Sequence, residues 1–344
     1  MYINKCLKFF LIVFALFFGA CQPSEKLPDV STIEVKVELI RFDQELAQLQ
    51  ETDIANQHER WKMQYGQFYE DFIEEMLEAG FMEDEGSLLR NWAYIVNQKD
   101  FQVLSQKVEE RFPDLNDKEK ELEEAFKYLR YYFPEYEMPV FYSFFSGFSS
   151  QVAVGEGYVG IGLDMFLGAD SEFYPALIES IPMYISRRFT PENIVPRVIE
   201  SVLRVEISDE EPLEGNTLAH MVHHGKILYA MDKILPHTPD TLKIGYTEEQ
   251  LIWADAYRKD IWAWFVSEDI LYSTDYLRNQ SYFSEAPFTP ELGENNESAP
   301  KLGTYIGWQV VRRFMEKNRD VTLSELMSMT DAQMILEKSG FRGE

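Results

Sequence analysis

The segment from Gly215 to Pro236 constrains this chain more than any other, because it joins helical periodicity to three of the five histidines in the sequence. At about 100° per residue, His220 and His224 fall about 40° apart with His223 on their other side, so three imidazoles crowd one helical face. That face continues through Ile227, Met231 and Ile234, while Lys226, Tyr229 and Lys233 fall opposite. The pattern predicts a core helix that buries its histidine side and turns its lysine side outward. Pro236 lacks the N–H that would extend the ladder and ends the helix.

Two histidines four apart on a helix match the zinc-peptidase pattern H-E-x-x-H, in which the imidazoles bind Zn²⁺ and the glutamate deprotonates the attacking water. Here Met221 occupies the glutamate position, and a thioether takes no proton. The expectation is a non-enzyme without a cofactor. The alternative is an active zinc enzyme with His220 and His224 as ligands and Glu249 or Asp255 as the third.

The chain opens with Lys5 and Lys8, the apolar run Phe9 to Phe18, then Gly19, Ala20 and Cys21. Ten apolar residues are about half of a bilayer span, so residues 1–20 read as a signal peptide. Small residues before Cys21 match a bacterial lipobox, with Phe18 where leucine is usual, and make Cys21 the acylated first residue of the mature chain. The other cysteine, Cys6, lies in the signal, which leaves no internal disulfide. Residues 21–32 form a lipidated tether, with Pro23, Ser24 and Pro28.

The net charge is −27, more negative still once Lys5 and Lys8 leave. That excludes nucleic acid as a partner and electrostatic adhesion to an anionic bilayer, so membrane attachment falls to the lipid. With 45% apolar residues, 33–344 can bury a large core as one domain. Ile33, Val35, Val37 and Leu39 alternate with charged residues as a half-buried strand. Helices follow over 43–131, where Phe68, Phe72, Met76 and Ala79 form a stripe beside Glu70, Glu74, Glu75 and Glu78. Those glutamates lack calcium-loop spacing and read as a solvated face.

A small sheet is expected over 138–163, from runs at 138–144, 151–154 and 158–163. Gly155, Gly157 and Gly160 carry dinucleotide-fingerprint spacing, but within a hairpin instead of a strand-to-helix turn. Helices resume over 171–340: an apolar 173–189 broken at Pro182, a Thr190-Pro191 start running towards Glu206, and a Thr247–Gln250 capping box launching 251–266. Residues 283–300 form a long polar loop. Gly303 and Gly307 sit four apart on the next helix and permit close helix contact, and Thr322 and Thr330 cap two final short helices. The fold class is α+β, predominantly helical, a zinc-peptidase-like scaffold whose small sheet packs against the core helix bearing His220 and His224.

Several segments together resemble the gliding-motility lipoprotein B family (GldB), itself similar to predicted zinc-dependent peptidases. They are Ile40-Arg-Phe-Asp43, Ile161-Gly-Leu-Asp-Met-Phe-Leu-Gly168, Gly225-Lys-Ile-Leu-Tyr229, Ile244-Gly-Tyr-Thr247, Asp260-Ile-Trp262 and Gly303-Thr-Tyr-Ile-Gly-Trp-Gln-Val-Val-Arg312. The resemblance implies a lipoprotein of the gliding-motility and type IX secretion machinery, anchored by its N-terminal lipid in the cell envelope and facing the periplasm. Other machinery proteins would be its partners. The expected working part is a degenerate cleft between the 133–163 sheet and the histidine helix, which holds a protein segment without cutting it. A purely structural scaffold is the remaining alternative.

Overall fold

The short β-prone runs assemble into a four-stranded mixed sheet in the order β1-β2-β4-β3, made of β1 (Leu39–Ile40), β2 (Val140–Phe144), β3 (Val152–Gly155) and β4 (Tyr158–Gly162). β1, β2 and β4 run parallel, and β3 returns antiparallel on β4. The computed structural model describes residues 27–208, 215–292 and 296–344. The expected signal peptide, Cys21 and the expected acidic turn beginning at Asp209 lie outside the described residues. The chain divides into a segment ending at Thr32 and a body from Ile33 to Glu344. In the segment, Asp29 accepts a hydrogen bond from the Ser31 N–H at 3.0 Å.

The strand expected over 33–39 survives in burial more than in pairing. Val37 and Leu39 are buried and the charged residues between are exposed, yet only Leu39–Ile40 joins the sheet. The Val37 and Leu39 N–H groups donate instead to Glu123 at 3.1 Å and Glu119 at 2.9 Å, both on helix Asn116–Tyr132. Carboxylates take the donors that a longer strand partner would have used. The three glycines do fall in a hairpin: Gly155 pairs with Tyr158, and Gly157 takes φ +75° in the turn between them.

β2 separates two aromatic layers. Tyr142 stacks on Phe68 at 4.0 Å and Phe144 meets Phe72 at 5.8 Å, while Phe141 faces Phe126 of helix Asn116–Tyr132 at 5.1 Å. Phe42 stands edge-on to Trp61, Phe68 and Phe72, a geometry that aromatic quadrupoles favour. Buried Asp43 locks this layer to the sheet. It takes both Arg41 nitrogens at 2.9 and 2.8 Å and the Ser143 hydroxyl at 2.5 Å.

Helix Ile194–Val202 packs on β3 and β4 and also on the histidine helix, Thr217–Ile234. It is apolar towards both, with Ile194, Val195, Val198, Ile199 and Val202 buried. The expected direct packing of sheet on histidine helix is therefore corrected: this helix fills the space between them. The main partner of the histidine helix is helix Leu302–Lys317.

That second helical layer also overturns the outward lysine face. Lys226 and Tyr229 are buried, and the Lys226 ammonium donates to the Met327 and Met329 carbonyls, both at 2.8 Å. A cation there satisfies carbonyls left over at the end of helix Leu323–Ser328. Three further expectations change. Residues 173–189 hold only a 3₁₀ turn, Tyr174–Leu177, and a four-residue helix, Met183–Ser186. The Thr247–Gln250 capping box is present, but the helix it starts breaks at Tyr257 into Glu248–Ala256 and Arg258–Ser267. The last helix is capped by Asp331, not Thr330; its carboxylate accepts from the Met334 N–H at 2.9 Å.

Candidate functional site

Asn216 starts the histidine helix by accepting the Ala219 N–H at 3.0 Å. His220, His223 and His224 are all buried. Phe283, from the long loop, lies over two of them, its centroid 5.1 Å from His224 in a stacked arrangement and 5.6 Å from His220. His223 stands edge-on to His224 at 5.4 Å. Met221 is fully buried at the point where the two long helices touch. A Cβ on Gly307 would lie 1.8 Å from the Met221 carbonyl oxygen, and one on Gly225 would lie 2.3 Å from the Gly307 carbonyl oxygen. Glycine at both positions lets the backbones approach to a distance no side chain permits. Gly303 has a different neighbour, the Phe283 ring.

Beside the histidines lies a group of charges drawn from four stretches of chain. Glu200 accepts from Arg204 at 3.1 and 2.9 Å and pairs with Arg197, while Arg204 Nη1 stands 3.4 Å from His224 Nδ1. Burial alone would raise the Glu200 carboxyl, but the Arg197 and Arg204 charges outweigh it and hold the group well below the usual carboxylate range. Arg197 also donates to the carbonyls of Leu242 at 2.9 Å and Lys243 at 2.8 Å. Glu285 accepts from Arg188 at 2.9 Å and Lys301 at 2.6 Å. Lys301 donates as well to the Ile244 carbonyl at 2.6 Å, and burial pushes its ammonium down to about 8. The described part of the 283–300 loop is thus tied into the body through Phe283 and Glu285.

The carboxylates expected as third ligands stand elsewhere. Glu249 is exposed in the first turn of its helix, and Asp255 accepts from the Tyr305 hydroxyl at 2.5 Å and pairs with Arg258. Among the described residues, one group of His, Cys, Asp or Glu brings three ligand atoms within 4.8 Å of one another: His58, Glu59 and Glu85, of which only His58 is buried. It lies on other helices, and the His58 Nδ1 is 3.0 Å from the Tyr69 hydroxyl. Arg188, Arg197, Arg204, Lys301 and Glu285 escaped the sequence reading. The only sequence signal was the Arg197, Glu200, Arg204 spacing of three and four, which puts opposite charges on one helical face.

No described helix is long and apolar enough to cross a membrane. A family model described as "Gliding motility protein GldB" matches residues 23–343. No curated protein and no solved structure matches the chain.

Proposed function

We propose, from the premise that this chain belongs to the gliding motility protein GldB family, that it is a gliding-motility lipoprotein that holds a partner of the motility and secretion machinery without hydrolysing it. Acyl chains on Cys21 anchor it to a membrane of the cell envelope, with the body on the periplasmic side. The partner segment adds as a strand to β3, an outer strand of the sheet, whose four residues are all partly exposed. This edge replaces the cleft expected between sheet and histidine helix, which helix Ile194–Val202 occupies.

The observation that carries the non-catalytic reading is the seat of Met221. The residue after the first histidine is where a zinc peptidase keeps its general base. Here that position is fully buried at the contact with Gly307, where an ionised carboxylate would lose its hydration. The aromatic cover of Phe283 on His220 and His224 favours the same reading.

The test is complementation of a gliding host that lacks the protein. Cys21→Ala is expected to abolish membrane retention and gliding, whereas His220→Ala and His224→Ala leave both intact. Cleavage of a peptide library by the zinc-supplemented protein, lost in His220→Ala, would overturn the non-catalytic reading. A Cys21→Ala protein that stays with the membrane would overturn the anchor.

A further inference from the structure

The charge cluster beside the histidine helix has an imbalance that its own residues do not resolve. Arg187, Arg188, Arg197, Arg204 and Lys301 face two carboxylates, Glu200 and Glu285, each clasped by two cations. Among the described residues, Arg187 meets only neutral acceptors, the Gly245 carbonyl at 2.8 Å and the Gln250 side-chain oxygen at 3.2 Å. Three positive charges are therefore in excess among the described residues, inside a protein whose net charge is −27. Burial and the neighbouring Arg188 and Arg204 charges disfavour the charged form of Arg197 even against the pull of Glu200.

A second observation concerns hydrogen bonds. Arg188 Nε and Nη1 and Arg197 Nε are buried donors that no acceptor among the described residues reaches. The side chains of Arg188 and Arg197 are only 14% and 12% exposed, so bulk solvent does not serve these donors. A buried charged donor left without an acceptor keeps the cost of its lost hydration, so a fold that keeps three together points to an acceptor from outside the chain. Gly245, at φ +79°, makes room for this arrangement, since a Cβ there would lie 1.9 Å from Arg188 Nη1. At the rim, Arg204 and Glu285 are 34% and 28% exposed.

We propose that this cluster is a binding site for a small oxyanion, phosphate or carboxylate in chemistry, received by the unused N–H groups of Arg188 and Arg197 beside Lys301. Planar guanidinium forks suit such a ligand, because they offer paired N–H groups to paired oxygens. The site is independent of the β3 edge and of the histidines' metal chemistry. Its occupant ties Arg188 and Arg197 to Lys301.

The test is thermal unfolding and calorimetric titration of the full-length lipoprotein in detergent, with sodium phosphate against sodium chloride at matched ionic strength. The expected result is a phosphate-specific rise in Tm that saturates, unlike the general salting-out effect of phosphate, which grows without saturation. Acetate distinguishes the sources: a saturable response to it identifies carboxylate chemistry, and a response to phosphate alone identifies phosphate chemistry. Arg188→Gln is expected to weaken binding at least about tenfold, the contribution of one charge-assisted hydrogen bond. Glu285→Gln keeps the acceptor oxygen for Arg188 and Lys301, removes a competing negative charge, and is expected to tighten binding by about tenfold. No saturable response to either anion, or an unchanged response in Arg188→Gln, overturns the proposal. Should Arg188→Gln fail to fold, Glu285→Gln decides alone, and a folded variant that binds no tighter overturns it.

Discussion

Replacing Gly307 by alanine places a methyl carbon 1.8 Å from the Met221 carbonyl oxygen and 2.4 Å from its carbonyl carbon. The obstacle is helix backbone, which has no rotamer to escape into, so the two long helices must part. Ordinary contact begins near 3.4 Å, and a gap of even ~0.5–1 Å forfeits a quarter to a half of the dispersion well for every atom pair across it. Leu218, Leu228, Ile306, Val310 and Val311 are all buried on these two helices and lose packing together. Overpacking of this kind costs about 3 kcal/mol, against which alanine returns about 1 kcal/mol of helix propensity, leaving a net loss of about 2 kcal/mol. Urea unfolding followed by circular dichroism measures it. With m near ~3 kcal/mol/M, the midpoint should fall by roughly 0.7 M at constant m. Gly86→Ala is the control. Its Cβ would come no nearer than 3.6 Å to a flexible arginine end, and it should be neutral or stabilising by about 0.5 kcal/mol. A Gly307→Ala midpoint within roughly 0.2 M of wild type would refute the contact that seats Met221. Because Gly225 meets the same backbone, the double variant should cost less than the sum of the singles.

Asp164 is fully buried and accepts the Ser146 N–H at 3.1 Å and the Phe148 N–H at 2.7 Å; burial pushes its carboxyl up from 3.8 to about 6. At this site the native state binds more protons than the unfolded one between those values, so the stability that Asp164 contributes is present below about 4 and is lost as pH rises to about 6. Asp164→Asn keeps an acceptor for both N–H groups and should lose that slope, a difference of about 2–3 kcal/mol read from urea midpoints across the window. An identical slope in both proteins would contradict the assignment. Asp232 accepts from Arg312 at 2.7 and 2.8 Å, Lys243 at 2.9 Å and Trp308 Nε1 at 2.9 Å. Asp232→Ala should cost about 2–3 kcal/mol, because among the described residues Lys243 and Arg312 keep only Asp240 as a carboxylate partner and Trp308 Nε1 loses its acceptor. Asp232→Asn should cost less, and equal losses would show that charge is not what matters there.

Local pattern was enough to place much of this molecule. Alternation and turn glycines located β2, β3 and β4, because a half-buried strand records its two faces in consecutive residues. The stripe Phe68, Phe72, Met76, Ala79 and the cap residues Thr247 and Thr322 located helices for the same reason: neighbours within four residues determine them. The glycine pair at 303 and 307 announced a close approach, although only Gly307 meets another long helix. What lay across an element was not written in its own periodicity. Lys226 looked solvent-facing until helix Leu323–Ser328 supplied carbonyls for it, and the helix that fills the space between sheet and histidines comes from a separate stretch of chain.

The sequence by itself determined that residues 217–234 form a helix with three clustered imidazoles and a thioether in place of a general base, and its ordered segments identified the family. Tertiary structure alone decided that Met221 abuts Gly307, that Phe283 covers two of the histidines, and that Arg188, Glu285 and Lys301 meet across more than a hundred residues. The physical reason is range. Helical and strand periodicities are properties of residues a few positions apart, whereas burial, hydrogen-bond partners and charge environment depend on whichever distant segment the packed core brings alongside.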